Sequence, residues 1–150
     1  MRDQIRFKIG KEEKNIQEKW IEISEGTEHI QMMIEMPEEF QYMAFLFLED
    51  PKKEIRFQKL LGYGQQNPGI GKSTKDTTIG GVPGEIYPGT WKIGIGIFTE
   101  YVAQKLGEQT GEIVLTVSDR KDEVSDPICG ECWAVSYTHL RAHETRHDLV

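Results

Sequence analysis

Residues 79–98 read IGGVPGEIYPGTWKIGIGIF, and no helix can run through their first half, where Gly80, Gly81, Pro83, Gly84, Pro88 and Gly89 follow one another closely. Glycine admits positive φ, while proline fixes φ and removes a backbone donor, so this half is turns. The second half is a strand by its period of two. Trp91, Ile93, Ile95 and Ile97 share one face, and Lys92, Gly94 and Gly96 leave the other nearly bare. A bare face predicts a close approach by another layer of backbone.

The remainder is written in the same period. Ile5, Phe7 and Ile9 alternate with polar residues as a first strand. Residues 19–23 form a second, closed by Ser24-Glu25-Gly26-Thr27. Residues 28–36 form a third, with Ile30, Met32, Ile34 and Met36 inward, and the two suggest a hairpin. Residues 41–48 run without a polar break from Tyr42 onward, as in a central strand covered on both sides. After the Asp50-Pro51 turn, residues 54–60 return as a strand through Ile55 and Phe57. Residues 62–71 read as loop and 77–79 as a short edge strand. Residues 100–106 fit either one helical turn or an irregular strand, and 112–118 close the set with Ile113, Leu115 and Val117 on one face. About eight short strands with turn chemistry between them predict an all-β fold, an antiparallel β-sandwich over residues 1–118. Residues 119–134 read as a linker, because 119–126 are charged and carry no periodicity.

The 150 residues suffice for one domain burying about two-thirds of the surface its unfolded chain exposes. A net charge of −7 argues against nucleic acid or an anionic membrane as partner, since both call for a basic stripe. No apolar run approaches the roughly 20 residues of a membrane span, and none follows Met1-Arg2-Asp3-Gln4 as a signal peptide would require, so a cytoplasmic location is expected.

Three motifs suggest chemistry. Gln66-Asn67-Pro68-Gly69-Ile70-Gly71-Lys72-Ser73 departs from the phosphate-binding loop G-x-x-x-x-G-K-[ST] only at its first glycine, but that loop must open a helix, and the glycines and proline after residue 79 forbid one of useful length. His143-Glu144-Thr145-Arg146-His147 matches H-E-x-x-H, in which two histidines bind zinc and the glutamate acts as base. The third ligand usual downstream has no room, and His139 lies in the same segment rather than across a cleft. Cys129-Gly130-Glu131-Cys132 is a single C-x-x-C, lacking both the further ligands of structural zinc and the strand–helix setting of a redox pair. Trp91 reads as a core aromatic, since Ile93 and Ile95 share its face.

Two resemblances complete the reading. Val135-Ser136-Tyr137-Thr138-His139-Leu140, continuing through Arg141-Ala142-His143-Glu144-Thr145, resembles the conceptual translation of a sequencing adapter found at the ends of metagenomic open reading frames, and that resemblance implies a non-native tail over residues 135–150. Glu25-Gly26-Thr27, Leu48-Glu49-Asp50-Pro51 and above all VPGEIYPGTWKI at 82–93 make residues 20–118 resemble the N-terminal β-sandwich of the CehA/McbA-type metallohydrolases, whose catalytic part is a PHP (polymerase and histidinol phosphatase) domain. Trp133 stands where that family has a tryptophan leading to its first metal-binding histidines, but residues 135–140 replace the acidic residue and the H-x-H pair.

The resemblance implies a non-catalytic accessory domain, N-terminal to a divalent-metal-dependent hydrolase that is cut off before its active part. That missing C-terminal domain is the expected partner, and its metal ions the expected cofactor; homo-oligomerisation is a further option. No catalytic, cofactor-binding or metal-ligating residue is assigned within the chain. The alternatives are a small zinc hydrolase using His143, Glu144 and His147, and a free-standing, carbohydrate-type binding module presenting Tyr63, Tyr87 or Trp91.

Overall fold

The computed structural model describes residues 1–121 and 125–128. Two antiparallel sheets pack face to face, as the alternation demands. The first orders its strands β1 (Arg2–Ile9), β9 (Gly111–Ser118) and β3 (His29–Met36), with β6 (Gly64–Gln66) and β7 (Gly69–Gly71) both on the free side of β3; the second runs β2 (Ile16–Ile23), β8 (Gly89–Ile97), β4 (Ala44–Glu49) and β5 (Ile55–Leu60). Phe7, Ile30, Met32, Ile34, Ile113 and Leu115 of one layer meet Ile21, Leu46, Leu48, Trp91, Ile93 and Ile95 of the other, all buried. The β-sandwich expected from the sequence is the fold.

The hairpin reading is corrected. β2 and β3 lie in different sheets, and residues 24–28, with Gly26 at φ +86°, carry the chain across the core. Alternation states which face of a strand is buried and leaves its neighbour unspecified, so a crossing of about 10 Å between layers satisfies the same pattern as a hairpin.

β4 is central but covered on one face only: Ala44, Leu46 and Leu48 point inward, while Phe45 and Phe47 are half-exposed on the outside. The bare face of β8 is likewise external, and among the described residues no backbone layer approaches it. Instead the ring of Phe47, directly opposite Gly94 in the register, lies on Gly94 so closely that a methyl group there would overlap it.

Residues 62–71, expected as loop, contain β6 and β7. These are one edge strand broken at Asn67-Pro68, where the Pro68 carbonyl still accepts from the Met32 N–H at 2.8 Å. The two-way reading of residues 100–106 resolves as helix α1 (Thr99–Leu106), which buries Val102 and stops at Gly107, φ +61°. Residues 77–79 form no strand; Thr78 makes a single bridge with Ile128.

Residues 78–84 strap one side of the sandwich. Thr78 and Gly84 N–H groups donate to the Gly69 and Gly71 carbonyls of the first sheet. Val82 N–H donates to the Arg56 carbonyl of the second, whose Gln58 N–H donates to Gly80. Residues 125–128, expected within a linker, join this strap: Asp126 N–H donates to the Asn67 carbonyl and Ile79 N–H to that of Pro127. Their backbone supplies partners that the two sheet edges would otherwise lack. None of the described helices is long and apolar enough to cross a membrane.

The two outer-face glycines of β8 should respond differently to Gly→Ala. Gly94→Ala displaces the Phe47 ring and is expected to cost about 1–3 kcal/mol. Gly96→Ala, whose added carbon would meet nothing nearer than the Phe45 carbonyl oxygen at 4.0 Å, should be neutral or slightly stabilising. Urea-unfolding midpoints of the two variants check the contrast.

Candidate functional site

The described residues concentrate their buried charge in one place. Leu48 pairs with Phe57 and Glu49 with Ile55, so Arg56 is the extra residue of a β-bulge and leaves the alternation. Ile55, which shares the period of Phe57 in the sequence, is therefore exposed, and Arg56 is buried in its stead. The Arg56 Nη1 donates to Asp50 Oδ2 at 3.3 Å and to the Glu85 carbonyl at 2.7 Å, and its Nε donates to the Val82 carbonyl at 3.2 Å. Asp50 Oδ1 in turn accepts from the Lys52 and Glu54 N–H groups, at 2.9 and 3.0 Å, closing the β4–β5 turn.

Aromatic rings complete the enclosure. The guanidinium carbon stands 5.4 Å from the centre of the Trp91 ring and 6.0 Å from that of Tyr87, while Lys52 Nζ lies 4.1 Å from the Tyr87 ring centre on its own approach. Trp91 is fully buried, as expected, and its indole N–H donates to the Tyr87 carbonyl at 2.7 Å. Two stretches far apart in sequence, Leu48-Glu49-Asp50-Pro51 and residues 82–93, thus meet around one arginine. Chemically the cluster is a clasp: the carboxylate and most guanidinium donors are engaged with protein groups, and of the clasp's own side-chain atoms only Arg56 Nη2 has no hydrogen-bond partner among the described residues.

The motif at residues 66–73 is also occupied internally. Gly69 N–H donates to Thr78 Oγ1 at 3.0 Å and Gly71 N–H to Thr77 Oγ1 at 3.1 Å, so two amides that a phosphate would need are taken. Both glycines make room for side chains: a methyl group on Gly69 would come within 2.8 Å of His29 Nε2 and Gln31 Oε1, and one on Gly71 within 2.5 Å of Asp76 Cβ. Only a three-residue 3-10 turn, Thr74–Asp76, follows, and Lys72 faces Glu28 and Glu85 at 3.8 and 3.9 Å. Hydrogen bonds from Lys121 and then Ser73 hold the Asp76 carboxyl below its ordinary value. With the folded pKa the lower one, this stabilisation is present above the unfolded carboxylate value and fades as pH falls.

Cys129, Cys132, Trp133, His139, His143, Glu144 and His147 lie outside the described residues. Among the described ones, no group of three or more His, Cys, Asp or Glu is placed to hold a metal. Of the three aromatics named for a binding module, Tyr63 is exposed, Tyr87 is half-buried beneath Lys52 and Trp91 is inside. Sequence reading passed over Trp20, which projects outward from β2 with 61% of its surface exposed. Its place in the outward set Ile16, Glu18, Trp20, Glu22 was the available signal.

Arg56→Ala leaves the Asp50 carboxylate buried without its cation and should lower stability by about 3–5 kcal/mol. Arg56→Lys should recover only part of this, because a single ammonium cannot replace the guanidinium fork. Urea unfolding of the two variants beside the parent chain gives the comparison. In comparisons with known proteins, no family model and no curated protein matches this chain.

Proposed function

We propose that this chain is a non-catalytic accessory β-sandwich, N-terminal to a PHP-type, divalent-metal-dependent hydrolase of phosphoester or related bonds, and that residues 135–150 are an adapter-derived tail. One observation carries the reading. The residues behind the family resemblance, Asp50 and the 82–93 segment, are the ones drawn together around Arg56, where they hold the fold and offer no open chemistry. A sandwich built this way contributes by packing against its catalytic domain, by assembling, or by helping to position substrate. The metal ions belong to the domain that follows, and a cytoplasmic location accompanies the reading.

The zinc-hydrolase alternative is tested by titrating Zn²⁺ into the full chain and into a His143→Ala/His147→Ala variant by calorimetry. The accessory reading expects the same heats from both and an unaltered urea midpoint. One-to-one binding by the parent chain that the variant loses would overturn it. The uninterrupted genomic reading frame after Trp133 tests parentage: an acidic residue and an H-x-H pair are expected, and continuation of residues 135–150 would defeat the adapter assignment.

A further inference from the structure

The two outer faces of the sandwich differ in character. That of the β1-β9-β3 sheet is charged and polar, carrying Arg6, Lys8, Glu112, Thr116 and Glu35. That of the β2-β8-β4-β5 sheet carries Glu18, Glu22, Lys92 and Glu49 but also exposes Ile16, Trp20, Ile55, Leu60, Phe98 and Tyr101, each at 40% or more of its surface. We propose that this second face binds the same face of another copy of the chain, forming a two-fold dimer in which Trp20 of each copy fills a groove on the other. The inference goes beyond the accessory-domain reading and does not depend on it.

The face carries both a knob and a hollow. In the register, Ile16, Gly96, Phe45 and Leu60 stand side by side across the four strands, and Trp20, Lys92, Glu49 and Ile55 do so four residues along, about 13 Å away. Phe47 fills the row between by covering Gly94, but among the described residues nothing comparable covers Gly96. An open groove of about 840 Å³ results, floored by Gly96 and walled by Ile16, Phe45, Phe98 and Tyr101. A two-fold axis lying in the contact plane across the strands, through the Gly94 row, sets the Trp20 row of each copy over the Gly96 row of the other, with Trp20 above Ile16 at the wall of the groove and Ile55 above Leu60. The same contact then forms twice. Lys92 Nζ, on the Trp20 row, is bonded within its own chain to Glu18 at 2.8 Å and lies 3.7 Å from Glu49, so the cation and the two carboxylates brought to the contact, Glu18 on the axial row included, each have a partner of opposite charge in their own copy.

The area is what a weak specific dimer needs. Six half-exposed large side chains at about 100 Å² each give roughly 600 Å² per copy and about 1,200 Å² in all. That is the lower end of specific interfaces, so the dimer should dissociate on dilution.

Sedimentation of the full chain from about 5 to 500 µM tests the proposal. The weight-average mass should climb from 17.3 kDa towards twice that value. Trp20→Glu should raise the dissociation constant at least tenfold or abolish association, as loss of a large aromatic anchor does. Gly96→Gln, which fills the hollow, should do the same, while Gln4→Glu on the opposite face should leave association unchanged. Urea midpoints establish that the variants are folded. A monomer at every concentration overturns the proposal, and so does a dimer that survives Trp20→Glu and Gly96→Gln or is lost with Gln4→Glu.

Discussion

Arg56 is always charged and lies almost wholly out of water, and the structure is organised around relieving that cost. Asp50 supplies the counter-charge from the turn before β5, while the carbonyls of Val82 and Glu85 take the remaining engaged N–H groups. Satisfying those donors obliges residues 82–85 to lie beside the bulge. Residues 78–84 then reach both sheet edges, and Trp91 enters the core beneath the guanidinium. One ion pair thus couples a β-turn, a strap and the first core residue of the central strand β8.

This coupling explains why the turn-rich segment is ordered although it contains no strand before Gly89. Its amides and carbonyls find partners on β5 and β7, and its proline and glycine content suits a path that follows two sheet edges rather than a ladder of its own. The same arrangement engages the Asp50 carboxylate within the fold and buries Trp91. On the surface of the second sheet, by contrast, large apolar side chains stand in water.

Much of the site region was legible in part. The burial of Trp91 followed from Ile93 and Ile95 sharing its face, and the want of a helix of useful length after Lys72 followed from the glycines and prolines downstream of Ser73. The inward burial of Arg56 was not legible. In a regular strand Ile55 and Phe57 would both point inward, and only the bulge opposite Leu48 and Glu49 reverses Ile55 and Arg56. A bulge is a property of two paired strands, and one strand's residues do not announce it.

The sequence by itself determined that the chain is all-strand in plan, which face of β1, β3, β8 and β9 is buried, and where helix is forbidden, because periodicity and the φ restrictions of glycine and proline are local properties. Tertiary structure alone decided that β2 crosses to the other sheet from β3, that residues 64–71 add to the edge of β3, and that Phe47 covers Gly94 while Gly96 stays bare. The physical reason is common to all three. Each depends on which backbone or ring lies within a few ångströms of another from a distant part of the chain, and alternation constrains the direction of a side chain without naming its neighbour.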